Sequence, residues 1–441
     1  MGAFRNQIKN ASTYLAPAVA FFIPFGIRPL IYMIALWAFA VVIRGEWIKN
    51  WHENMTNSEK RKFFLLFVIF YLINLISLIY SRDQKEGFKE IQVKFSILLI
   101  PVLFAVSEKW TEKKVKKLFL AFVAGVIIAS FVCYINAMLH SLQWADGKII
   151  FSVHPPKSPW NSYFSYSDFS FMLHPSYFAM YICFVLMLLL DTYSSNKVNI
   201  ICINKYLSFI LLIFLSATLF LLSSRAGILT WFVVLFLFSL RKFIYRNGIS
   251  DIIYVLFSLV LIAGLFFYVL INENRMKVIR KELETAGKID DASYPGSVAL
   301  RLILWQDAWQ VIKSHPWVGT GTGSTEKSLY TGKSGGKYTW PEKMQLNVHN
   351  QFLETWLENG ILALLILLAI IFYPFYKKEI KWRYLLKILS VIILINFSFE
   401  SMLVRVNGVA FFAFFYCLLI LAAPSGRKTI PKKKYETSMI K

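Results

Sequence analysis

The sequence predicts an all-α, polytopic membrane protein with about twelve transmembrane helices and a folded outer loop between the ninth and tenth. Three observations predict it. Of 441 residues, 57% are apolar, including 40 Phe, 22 Tyr and 13 Trp, more than a soluble fold can hide. Long apolar runs recur along the whole chain. The basic residues sort to one side of those runs.

The runs fall at about 11–25, 29–43, 63–80, 91–106, 115–139, 170–190, 206–222, 226–240, 251–270, 353–373, 384–399 and 406–423. The first reads as a retained helix rather than a cleaved leader, because apolar sequence continues past Ala16-Pro17-Ala18-Val19-Ala20 to Phe25. The tenth is set by length. Its unbroken apolar stretch, Ile361–Tyr373, is 13 residues, whereas a bilayer core of ~30 Å needs ~20 helical residues. The helix must reach back to about Leu353 or Glu354, which leaves His349 roughly one turn above the hydrocarbon edge.

Net charge is +23. With the N-terminus inside, the presumed inner segments hold 28 of the 48 Lys and Arg, including Lys113-Lys114-Val115-Lys116-Lys117 and Lys432-Lys433-Lys434. The short outer loops, counting Lys94, hold 9 and the long loop 11. That is the positive-inside bias, so basicity reports topology and no nucleic-acid partner is implied. The four cysteines lie in or at the ends of apolar runs, without metal-ligand or disulfide spacing. The chain divides into 1–270, the first nine helices; 271–349, the outer loop with surface helices; 350–423, the last three helices; and 424–441, a basic inner tail.

Two outer segments stand out. Ser141–Phe169 is rich in Ser, Pro and aromatics. The 271–349 loop is too long and patterned to be slack. Met276, Ile279 and Leu283 recur at helical spacing. Ser297–Ser314 reads as a second surface helix with a stripe of Val298, Leu302, Trp305, Trp309 and Ile312, stopped at His315-Pro316. Gly319-Thr320-Gly321-Thr322-Gly323 is then either an anion-binding nest or a plain flexible turn.

Few residues are placed to carry chemistry. Arg225 is the single charge between Lys205 and Arg241, at the tip of an outer hairpin. It either snorkels to lipid phosphate or grips an anionic headgroup with its planar fork. Arg301, one helical turn before Trp305, is a solvated face or a second phosphate clamp. His349 is structural or a base held at headgroup height. His174 lines the same cavity or caps its helix. Glu354 and Glu358 share a helix face below His349, where one can orient its imidazole or both can meet interfacial water; Asn350 is a further supporting candidate. Glu400 and Arg405 flank the last outer turn, where they either pair with each other or serve the site. No Asp-x-Asp, P-loop, Gly-x-Ser-x-Gly or His-Glu-x-x-His occurs, and no outer acidic cluster has metal-ligand spacing. No metal and no cofactor are expected.

In order along the chain stand Ser224-Arg225-Ala226-Gly227 opening a helix, Arg301 and Trp305 before Pro316-Trp317-Val318-Gly319-x-Gly321, and His349-Asn350-Gln351-Phe352-Leu353 before Gly360. This set resembles the O-antigen ligase and O-antigen polymerase superfamily, most strongly over about 205–375. The resemblance implies a metal-independent glycosyltransferase of the bacterial inner membrane with its site facing the periplasm. The donor it implies is a glycan on undecaprenyl diphosphate. The acceptor is a sugar hydroxyl on lipid A-core for a ligase, or on another lipid-linked glycan for a polymerase. His349 would be the general base, and Arg225 and Arg301 would hold the leaving diphosphate. The reading favours the ligase, in lipopolysaccharide biosynthesis, with the polymerase as alternative. A glycolipid transporter or flippase is the rival of another class, but it should place polar groups at mid-membrane, and here they gather at the outer surface.

Overall fold

The computed structural model describes residues 14–145, 147–155, 162–194, 200–201, 203–246, 297–330, 346–377 and 380–423. The predicted ninth run, the surface helix around Met276–Leu283, and the 424–441 tail lie outside the described residues.

A helix stands at every other predicted run. They are α1 (Tyr14–Phe25), α2 (Ile27–Arg44), α4 (Ser58–Ser77), α5 (Gln84–Lys94) with α6 (Ser96–Val106), α7 (Glu112–Ser141), α9 (Pro175–Ser194), α10 (Lys205–Leu221), α11 (Arg225–Arg246), α14 (Gln351–Tyr376), α15 (Arg383–Phe399) and α16 (Val406–Ile420). Six described helices are long and apolar enough to cross a bilayer: α2, Ser58–Tyr80, α7, α9, Arg225–Ile244 and α14. Between them lie the short amphipathic α3 (Trp47–Asn54), the single turn α8 (Tyr166–Phe169), and two loop helices, α12 (Ser297–Ser314) and α13 (Thr325–Tyr330). One hairpin, β1 (Leu142–Ala145) with β2 (Lys148–Phe151), follows α7.

The centre of the bundle is aromatic. α9 and α16 are buried along almost their whole length. Phe122 and Phe415 meet edge to face at 4.5 Å, and Tyr181 stacks on Phe411 at 4.7 Å. In lipid the tails are as apolar as the side chains, so contact geometry of this kind rather than water exclusion joins helices.

A second, smaller core lies under α12: Leu300, Ile303, Leu304, Ala308, Val311 and Ile312 pack with Leu329, Val348 and Leu357. This revises the predicted stripe. Ile312 is on the buried face, but Trp309 is exposed, while Leu302 and Trp305 turn toward a cavity. The helix ends agree with the sequence, but its inward face is set by what it packs on.

The tenth run is not one unbroken helix. Gly360 has φ +74° and ψ −179°, splitting α14 in two. The cause is close approach. A Cβ on Gly360 would stand 2.0 Å from the Trp317 carbonyl oxygen. Only glycine tolerates both the left-handed φ and the contact. The loop then supplies the bonds that the break removes: Ile361 N–H donates to Pro316 O, Thr320 N–H to Leu357 O, and Gly321 N–H to Glu358 O.

Candidate active site

His349 sits just before α14 in a left-handed conformation, φ +51°. Such strain on a non-glycine persists only where neighbours over-determine it. They do so here. The N–H of Val348 donates to Glu354 at 3.0 Å, and its carbonyl accepts from the Trp305 indole at 3.0 Å. The His349 N–H donates to the Asn347 side chain at 3.0 Å. Asn350 caps α14, accepting from the N–H groups of Phe352 and Leu353. Its part at this site is therefore to start the helix that follows the histidine.

The imidazole is held by Glu400. Its Oε1 lies 3.0 Å from His349 Nδ1. The sequence reading gave that task to Glu354 or Glu358 and left Glu400 either paired with Arg405 or serving the site. The first assignment is corrected, and Glu400 is found on His349. Glu354 is buried and spends one oxygen on the Val348 N–H and the Ser401 hydroxyl, the latter at 2.7 Å. It thus fixes the backbone beside His349 and beside Glu400 without touching the ring. Burial pushes the Glu400 carboxyl up, but the hydrogen bond and charge of His349, with His174 and Arg301 beyond, outweigh it and hold the group below its usual value.

Arg225, Arg301 and Glu400 line one cavity of about 710 Å³. Ser224 caps the start of α11, accepting from the Gly227 N–H at 3.2 Å, and so presents Arg225 at the helix's first turn. Tyr166, Ser223 and Trp305 complete the polar wall, and Leu229, Leu302 and Phe399 the apolar one. His349 reaches this cavity through Glu400 rather than lining it. His174 accepts from the Ser176 N–H at 3.4 Å, a capping contact, and its ring is 6.1 Å from that of Tyr166. Burial lowers its pKa, opposed by Glu400. It flanks the cavity between two lining residues, Tyr166 and Ser176.

The sequence suggested no acidic cluster at metal-ligand spacing, and this too is revised. Carboxylates of Glu90, Glu354 and Glu358 come within 4.8 Å of one another. The signal was invisible because Glu90 stands far away in the chain. The same place holds a cation from the chain itself: Lys94 Nζ is 2.8 Å from Glu90 and 3.0 Å from Glu358. Glu358 also accepts from the Gly323 N–H and the Thr325 hydroxyl. The glycine-rich turn is therefore neither slack nor a free nest: its N–H groups are spent on Leu357, Glu358 and, through Thr322, the Ser77 hydroxyl.

These elements give a strained histidine oriented by a carboxylate, beside a cavity with two arginines and an apolar wall. Residues 210–368, which contain Arg225, Arg301 and His349 but not Glu400, match the family model described as O-antigen ligase. No curated protein matches the chain.

Proposed function

We propose, on the similarity of residues 210–368 to the O-antigen ligase family model, that the chain is a membrane glycosyltransferase that transfers a glycan from undecaprenyl diphosphate to a sugar hydroxyl on the periplasmic face. The observation that carries the reading is Arg225 and Arg301 in one cavity with the Glu400 that holds His349.

In this reading Glu400 accepts from Nδ1–H, fixing the tautomer that leaves Nε2 as proton acceptor. Nε2 takes the proton of the acceptor hydroxyl while its oxygen attacks the anomeric carbon. The bond from that carbon to the diphosphate oxygen breaks, and the electron pair leaves with undecaprenyl diphosphate. Both guanidinium groups face the charge that develops there, where planar, bidentate donors act best. Base catalysis by a histidine is typically worth ~10²–10⁴-fold. The leaving diphosphate carries the driving force. Lys94 supplies the positive charge among the carboxylates of Glu90 and Glu358, so no metal is required in this scheme.

Lipid A-core is the proposed acceptor, which makes the enzyme a ligase. The test is purified protein with a defined undecaprenyl-diphosphate glycan and, in separate arms, lipid A-core or a second lipid-linked glycan. A new glycosidic bond to lipid A-core that is absent with His349→Ala supports the ligase. Bond formation in the other arm alone makes it a polymerase. No bond in either arm, with vesicle-to-vesicle movement of the glycolipid, would turn the reading to a transporter.

A further inference from the structure

The β1–β2 hairpin has no part in the site described above, and its register sorts its side chains. Leu142 pairs with Phe151 and Trp144 with Ile149. Pairs two residues apart along a strand share a face, so one face carries Leu142, Phe151, Trp144 and Ile149, every one apolar. The other carries Gln143, Ala145, Lys148 and Ile150. The apolar face is bare: Trp144 is 74% exposed, Ile149 66%, Phe151 56% and Leu142 50%. The other face is open as well, with Lys148 exposed and Ile150 45% exposed, and there the Gln143 amide donates to the His154 carbonyl at 3.1 Å. A hairpin in water packs its apolar face on the protein core, and this one does not.

Two observations say what covers the bare face. First, it continues a lipid-facing stripe. On α7, Ile128, Phe131, Ile135, Met138 and Leu139 are exposed at helical spacing. The next member of that series is Leu142, already in β1. Second, the height fits. From Lys117, last of the α7 lysines, to Ser141 is a rise of ~36 Å at ~1.5 Å per residue. That carries the helix across a core of ~30 Å and delivers the hairpin to the opposite headgroup layer. Tryptophan and other aromatics concentrate at that depth.

We propose that the β1–β2 hairpin is an interfacial anchor, with the Leu142, Trp144, Ile149 and Phe151 face seated in phospholipid of the leaflet at the cavity's end of the bundle. The occupant is lipid acyl chain and glycerol, and Lys148 on the other face is left to the headgroup phosphates. The anchor has a structural consequence. The chain returns from β2 to Ser165 and Tyr166, where the Ser165 hydroxyl is 3.4 Å from that of Ser223 beside Arg225. One wall of the cavity is thus tied to the membrane surface. The proposal does not depend on the chemistry proposed above.

The test uses the full chain, with its four native cysteines replaced, in phosphatidylethanolamine–phosphatidylglycerol vesicles. Nitroxides are placed one at a time at positions 143, 144, 148 and 149. Labels at 144 and 149 should relax several-fold faster with oxygen than with a water-soluble nickel chelate, and those at 143 and 148 should do the reverse. Nickel access at 144 and 149 equal to that at 143 would overturn the anchor. Shielding of 144 and 149 from both reagents would also overturn it, in favour of a protein partner. Because the cysteine-free chain can fold poorly, a second measurement keeps all native cysteines. Benzoylphenylalanine at position 144, irradiated in membranes, should give an adduct with the mass of a phospholipid. A cross-linked second copy, another polypeptide, or no lipid adduct would each count against the proposal.

Discussion

Arg225 is where the two meanings of a charge at a membrane surface separate on one substitution. A residue that snorkels to lipid phosphate is replaceable by lysine, whose flexible ammonium reaches as far. A residue that grips a diphosphate through two parallel N–H donors is not. We predict that Arg225→Lys inserts and folds like the parent but loses on the order of 10²–10³ in turnover, measured with a defined lipid-linked glycan. Turnover within a few-fold of the parent would leave the lipid-anchor role standing. Glu400 offers a second test at this scale, through pH. Its folded pKa lies below the ordinary 4.5, so the unfolded chain binds the proton more readily. The carboxylate's contribution to stability is therefore present above about pH 4.5 and is lost as pH falls through the depressed folded value. Glu400→Gln should unfold at lower temperature than the parent at pH 7, and the gap should close on acidification below 4.5. A gap that is constant with pH would mean that Glu400 does not hold an ionised contact. What the sequence showed at this scale was types and neighbourhood: a histidine before a helix, arginines at a helical turn and on a loop helix. It could not show that His349 reaches 51 residues along the chain to Glu400, because that pairing is made by α14 and α15 packing together.

At the scale of elements, the break in α14 is the feature that sequence spacing missed. Gly360 was visible, and so were Gly319, Gly321 and Gly323, but each is explained only by its partner. Gly360→Ala places a methyl group against the Trp317 carbonyl at a φ that alanine rarely adopts. The backbone strain alone costs about 1–3 kcal/mol. The variant should show a lower midpoint of thermal unfolding in detergent and a poor folded yield, while Leu362→Ala, an exposed position two residues on, should behave like the parent. Equal midpoints for Gly360→Ala and the parent would mean that the loop and the helix do not touch there. The carboxylate cluster gives another prediction. With Lys94 between Glu90 and Glu358, chelation by EDTA should leave transfer unchanged, whereas Lys94→Met removes the cation and strands buried carboxylates. Breaking a buried pair in this way costs about 3–5 kcal/mol, read as loss of folded protein on size-exclusion chromatography. Activity that falls in EDTA and returns with magnesium would overturn the proposal that Lys94 takes the place of a metal. The hairpin was also missed. Its cue was in the sequence, an alternation of Trp144, Ile149 and Phe151 around Asp146-Gly147, but it lay in a segment read as a proline-rich loop.

For the whole molecule, the order of apolar runs was legible because a bilayer allows few alternatives: every backbone group must be satisfied within a helix or closed barrel. The sidedness expected from the lysines and arginines can be tested directly. In a cysteine-free background, Trp317→Cys, at a highly exposed loop position, should react with an impermeant thiol reagent from outside the inner membrane, and Lys62→Cys at the start of α4 should not. The opposite pattern would invert the protein. The bundle's interior, by contrast, could not be ranked from sequence. α9 is less apolar than α10 beside it, yet among the described helices α9 and α16 are the most completely enclosed.

The seam between the loop and α14 has a bearing on traffic. Thr320, Gly321 and Gly323 donate to Leu357 and Glu358, and Ile361 and Trp356 donate back to Pro316. Lifting this part of the loop as a lid would sever all five bonds together, in a place with little water to replace them. Among the described residues, Ser165 and Ser223 by contrast meet across one long contact of 3.4 Å between two turns at the cavity's edge. Under the proposed reading, a glycan would meet a roof pinned along this seam, and the seam gives the loop no place there to hinge.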